Sequence, residues 1–152
     1  MPDRTEFSSY NFGLVICRNP KTGKFLAVNE TKNRGWWIPG GGIDSGETFR
    51  QGARRECIEE AGVEVDLKGI LKVEYWMGKH NQGKMRVIFY AEPKNYDVIP
   101  KQVADSESIE ARWVSLDEFP SLGKIRGDEL LEFGAQVERG EIYPLNMFME
   151  NE

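Results

Sequence analysis

Apolar residues along this chain fall into short runs separated by turn-forming clusters. Phe12 to Cys17 reads Phe-Gly-Leu-Val-Ile-Cys, the β-branched apolar run of a buried strand. Asn19-Pro20-Lys21-Thr22-Gly23 supplies a turn, and Lys24 to Val28 is expected to be the hairpin partner of the first strand. Trp36-Trp37-Ile38 leads into Pro39 and three consecutive glycines, Gly40 to Gly42. Thr48 to Ala61 then runs without proline for nearly four turns of helix. The order is strand, glycine loop, helix.

Val65 to Met77 and Arg86 to Tyr90 are rich in valine, isoleucine and aromatics, and His80-Asn81-Gln82-Gly83 between them predicts a second hairpin. Arg112-Trp113-Val114 reads as a last short strand, Ser115 as the cap of a turn with Glu118, and Asp128 to Arg139 as a closing amphipathic helix. Strands on both sides of one helix, with a second helix at the end, favour a mixed sheet between helices. The length of 152 residues suits one domain, with disorder confined to the ends.

Charge narrows the partners. A net charge of −5 and a pI near 5.1 repel nucleic-acid duplexes and anionic membranes. A polyphosphate ligand is repelled too, unless divalent cations stand between its oxygens and the carboxylates. Cys17 and Cys57 lie in apolar surroundings without a CxxC pair and read as reduced core thiols. Met1 to Tyr10 has acidic and polar residues where a signal peptide needs an apolar stretch, so a cytoplasmic location is expected.

The chemistry concentrates on the helix after the glycines. Glu56, Glu59 and Glu60 are three and four residues apart and project from one side. At about 100° per residue, Phe49, Ala53, Cys57 and Ala61 form the apolar stripe. Glu60 falls inside its sector, Glu56 at its edge and Glu59 a little beyond, so these carboxylates face the seam. Close, partly buried carboxylates repel one another unless protons or a hard cation compensate, and Mg²⁺ shares oxygen ligands readily with phosphates. Arg54 and Arg55 offer the rival compensation of a structural charge network. Three glycines let backbone approach a ligand closely.

Gly41, Glu47, Arg55, Glu56, Cys57, Glu59, Glu60, Gly62 and Val63 stand at the spacing of the Nudix box, and residues 41–63 resemble it throughout. Cys57 departs from the usual aliphatic residue but packs as a small hydrophobe. The resemblance implies an α/β/α Nudix sandwich with a mixed β-sheet. It also implies Mg²⁺ or Mn²⁺ held by Glu56, Glu59, Glu60 and the Gly40 carbonyl, and a Glu47–Arg55 pair keeping helix and loop in register. Glu107, ahead of Trp113, is the candidate for an additional metal carboxylate, and Glu56, with Glu59 as the alternative, for the base that activates water.

The family signatures for ADP-ribose, dinucleoside polyphosphate, NADH and coenzyme A substrates are missing. Arg86 to Pro93, Ala104 to Ser108 and the closing helix are similar to the MutT-type branch, which hydrolyses oxidised guanine nucleoside di- or triphosphates. Diphosphoinositol polyphosphates are the alternative, on the triple glycine, although no concentrated lysine and arginine cluster is visible for so anionic a ligand. A catalytically silent nucleotide-binding module is the alternative of another class. Trp76, Phe7 and Phe89 are the candidates for stacking on a base, beside Tyr75. A monomer or homodimer is expected.

Overall fold

The computed structural model describes residues 4–151, and the extreme ends expected to be disordered fall outside them. The elements are β1 (Ser9–Cys17), β2 (Phe25–Glu30), β3 (Gly35–Trp37), β4 (Gly40–Gly42), α1 (Phe49–Ala61), β5 (Val65–Met77), β6 (Gly83–Pro93), β7 (Ser108–Val114), α2 (Glu129–Glu138) and β8 (Tyr143–Pro144). They form a five-stranded sheet, β4-β1-β6-β5-β8, and a three-stranded sheet, β3-β2-β7. β1 runs parallel to β6 while its other pairings are antiparallel, so the larger sheet is mixed.

Strand alternation makes the sandwich. On β1, Leu14 and Ile16 pack with Phe133, Leu130 and Val137 of α2, whereas Val15 and Cys17 pack with Ala53, Cys57 and Ala61 of α1. β2 divides the same way, with Phe25 and Ala27 on the α2 side and Leu26 and Val28 on the α1 side. Because both faces are covered, the sequence shows continuous apolar runs rather than alternation. Cys17 and Cys57 are free, buried thiols in the α1 layer, and burial pushes both upward.

The second hairpin forms as the sequence predicts, β5 pairing antiparallel with β6, with His80 and Asn81 at positive φ in the turn. The first does not. After one bridge between Arg18 and Phe25, β1 and β2 part into different sheets. The edge of β1 is taken instead by the glycine segment, beginning with the Val15 N–H donating to the Pro39 carbonyl at 2.9 Å. β7 is also not the last strand, since β8 adds to β5 at Gly69 and Ile70. Among the described residues no helix is long and apolar enough to cross a membrane.

Phe89 is fully buried in the α1 layer, so it has no face to offer a ligand, contrary to the expectation that it stacks on a base. Its removal therefore acts on stability. Phe89→Ala is expected to cost about 3–5 kcal/mol, read as a lowered midpoint in urea unfolding.

Candidate active site

Local sequence supplies a cap at each end of helix α1. Thr48 caps it through a reciprocal box with Gln51, and Gly62, at φ 67°, ends it in the left-handed region. The helix lays its apolar stripe on β1, and the carboxylates grade in exposure as their angular positions predict. Glu60 is buried, Glu56 has a side chain 14% exposed, and Glu59 one 38% exposed.

Arg55 joins them to the loop. Its Nε and Nη2 donate to the two Glu47 oxygens at 2.8 and 3.0 Å, and Nη2 also reaches the Gly42 carbonyl at 3.1 Å. Nη1 donates to Glu56 at 3.2 Å and Glu59 at 3.0 Å. The hydrogen bond from Arg55 holds the Glu47 carboxyl below its usual range. One guanidinium thus fixes loop, helix and two of the three glutamates.

The glycines matter at two positions. Gly40 has φ 145°, and a Cβ there would lie 2.5 Å from the Gly13 carbonyl oxygen; its N–H donates to Glu60 Oε1 at 2.8 Å. A Cβ on Gly41 would stand 2.7 Å from Glu56 Oε1, so the bare backbone makes room for the carboxylate. Burial pushes Glu60 up to about 8, against the pull of the Gly40 N–H, and Glu56 and Glu30 add to the rise. Burial also raises Glu56 above the usual carboxylate range, outweighing Arg55, and Glu59 and Glu107 contribute. Among the described residues no three acidic, histidine or cysteine side chains converge as a ready-made cation site. Arg55 and the Gly40 N–H engage the glutamates instead.

Glu107 is brought to this site by a latch that the sequence did not disclose. Lys101 Nζ donates to the Glu59 carbonyl at 2.5 Å and to Asp105, whose Oδ1 accepts the Glu107 N–H at 2.9 Å. Ser108 Oγ donates to the Glu60 carbonyl at 2.5 Å. Glu107 consequently lines the same cavity of about 480 Å³ as Gly40, Gly41 and Glu60.

The far walls of that cavity carry Phe12, Trp37, Arg34, Lys84, Arg86, Arg126 and Glu129. Buried Glu30 accepts from Arg126 at 2.5 and 2.7 Å, and the Arg126 guanidinium stands 4.2 Å over the Trp37 ring. The indole N–H donates to Glu129 at 2.7 Å, and Arg86 joins Glu129 (3.2 Å) to Glu74 (2.7 Å). Burial opposes ionisation of Glu129, but Trp37 and Arg86 outweigh it and hold its pKa low. The sequence showed no basic cluster because these four cations come from β6 and from two loops. Glu30, Glu74 and Glu129 pair with the three arginines.

The other stacking candidates lie off the cavity wall. Trp76 is 40% exposed, with Lys84 and Arg86 over its ring at 5.3 and 5.9 Å. Phe7 lines a separate hollow with Met77 and His80.

The NUDIX domain family model matches residues 9–133. The chain belongs to the Nudix family. It is similar to the phosphatase NudJ of Escherichia coli K12, at 30% identity over 135 residues, covering 88% of this chain and 87% of the relative. Among solved structures, a NUDIX hydrolase from Nitrosomonas europaea aligns with TM-score 0.72 at 22% identity, covering 95% of this chain and 98% of that one. An ADP-ribose pyrophosphatase from Streptococcus suis aligns with TM-score 0.62 at 23% identity, covering 88% and 95%. This Nudix pyrophosphohydrolase has the mixed α/β fold of those neighbours.

The raised Glu60 pKa sets a pH dependence in the metal-free enzyme. Between the ordinary glutamate value of 4.5 and about 8 the folded state binds the proton and the unfolded state does not. Stability therefore falls as pH rises through that window. Glu60→Gln keeps an acceptor for Gly40 and removes the titration, so its Tm in chelator is expected to vary less between pH 5 and 8 than that of wild type. Parallel Tm profiles for the two proteins would contradict this origin.

Proposed function

We propose that this enzyme is a Mg²⁺-dependent hydrolase that cleaves the phosphate chain of a nucleoside di- or triphosphate, with an oxidised guanine nucleotide as its substrate. The observation that carries the reading is one cavity lined by Glu60 of α1, Gly40 and Gly41 of the glycine strand and Glu107, with Glu56 set against Gly41 and held, like Glu59, by Arg55. The three segments that resemble the nucleotide-sanitising branch each contribute to its lining. Arg86, Ser106 and Glu107, and Glu129 each belong to one of those three segments, and all line the cavity.

Glu56, Glu59, Glu60 and the Gly40 carbonyl, with Glu107 opposite, would hold Mg²⁺ or Mn²⁺. The donor set fits: all are oxygen atoms, and two of the carboxylates are held above their normal pKa by burial and mutual repulsion that a hard cation relieves. When bound there, the cation neutralises the diphosphate and makes a neighbouring water more acidic. Glu56 takes the proton from the water that attacks phosphorus. Arg55, fixed by Glu47, steers Glu56 and Glu59.

At the other end, the ionised Glu129 is an acceptor for the N–H edge of guanine. Lys84 has no ion pair among the described residues and lies over the Phe12 ring at 5.2 Å, free to meet phosphate oxygens. Because the three arginines are already paired with carboxylates, the cavity suits a nucleotide better than the denser charge of a diphosphoinositol.

Glu56→Gln is expected to lower kcat by about 10²-fold or more with the circular dichroism spectrum unchanged. Near-normal turnover at saturating Mg²⁺ would remove Glu56 from the chemistry. The substrate is decided by kcat/KM for oxidised guanine nucleotides, diphosphoinositols and nucleotide sugars under one metal, with all phosphorylated products, including nucleoside monophosphate and sugar phosphate, separated and quantified. A preference of more than about tenfold, or 1.4 kcal/mol, for either of the latter two overturns the nucleotide reading and leaves the Nudix chemistry standing.

A further inference from the structure

The family match ends at residue 133, yet the chain beyond it returns to the helix that carries the glutamates. After β8, the turn Leu145–Met147 leads to Phe148, which meets Phe49 edge-on with centroids 5.2 Å apart at 83°. Glu150 then places its carboxylate on the first turn of α1. Oε2 accepts the Phe49 N–H at 2.6 Å and Oε1 the Arg50 N–H at 3.1 Å. Arg50 closes the contact from the other side, its Nη2 donating to the Leu145 and Phe148 carbonyls at 2.9 and 2.8 Å.

A helix begins with N–H groups that have no partner within it, and their dipole favours a negative charge. α1 has no acidic residue in its own first turn. Thr48 accepts the Gln51 N–H, which leaves Phe49 and Arg50 to a carboxylate a hundred residues further along the chain. The next residue back from the Thr48 cap is Glu47, whose two oxygens occupy Nε and Nη2 of Arg55 and leave only Nη1 for Glu56 and Glu59. If the first turn frays, Glu47 moves and Arg55 becomes a rival cation for the carboxylates that would hold the metal.

We propose that Glu150 is a positioning residue for hydrolysis, fixing the first turn of α1 and, through Glu47 and Arg55, the glutamates of the site. The proposal rests on the metal reading given above. Glu150 is not on the cavity wall, so its effect falls on metal affinity and turnover rather than on substrate binding.

The test is Mg²⁺ titration calorimetry with kcat and KM at 25 °C, and Tm from thermal unfolding, for Glu150→Ala, Glu150→Gln and Arg50→Met. Glu150→Ala is expected to weaken Mg²⁺ binding and lower kcat each about fivefold, equivalent to about 1 kcal/mol, with KM within about twofold of wild type. Glu150→Gln, which keeps one acceptor, falls between, and Arg50→Met shifts the same two quantities in the same direction. Lowered Tm alone, with wild-type Mg²⁺ binding and kcat, makes the contact purely structural and overturns the proposal. Should Glu150→Ala not fold, the other two variants decide on the same readouts. Wild-type enzyme that binds no Mg²⁺ refutes the underlying metal reading instead, before any variant is compared.

Discussion

Repulsion among carboxylates crowded at the seam between α1 and the glycine strand is the constraint from which the rest of the site follows. Glu60 is buried and Glu56 nearly so, and burial raises both pKa values because a charge loses its water there. Each neighbouring element answers that repulsion. Gly40 donates its N–H to Glu60, Gly41 gives up a side chain so that Glu56 fits, and Arg55 spans Glu47, Glu56 and Glu59. Burying unpaired charge is costly, and these contacts compensate it.

The opposite wall obeys the same rule with the signs exchanged. Its arginines are held by Glu30, Glu74 and Glu129, and the resulting chain of contacts runs from β2 through Trp37 and the start of α2 to β6 and β5. It therefore ties the two sheets together across the mouth of the cavity. Lys84 is the exception, anchored by aromatic faces rather than by a carboxylate. Glu107 has no side-chain partner among the described residues on the acidic side. The two walls thus each keep one charge without an ion pair among the described residues, positive at Lys84 and negative at Glu107.

The site helix was almost entirely legible from sequence, because helical periodicity alone orders its glutamates by burial. Glu60, Glu56 and Glu59 fall in that order in the structure. The loop that delivers Glu107 was legible only as a position, since the Lys101–Asp105 and Ser108–Glu60 contacts join residues with no common pattern. The cation wall was illegible for the same reason, and among the aromatic candidates residue type was taken for exposure at Phe89, which is core, whereas Trp76 and Phe7 are exposed but lie off the cavity wall.

Local rules decided the elements: the turn at Asn19 to Gly23, the cap at Thr48, the left-handed stop at Gly62 and the box spacing are all set by residues a few positions apart. Pairing was decided only in three dimensions. β1 and β2 look like a hairpin, but a strand buried on both faces also needs neighbours along both edges, and the glycine segment and β6 fill those of β1. Glu150 on the first turn of α1 is the same kind of outcome. Sequence determines what each residue can donate, accept or bury, whereas the folded chain determines which distant residue meets that need, because hydrogen bonding and charge compensation depend on distance in space and not along the chain.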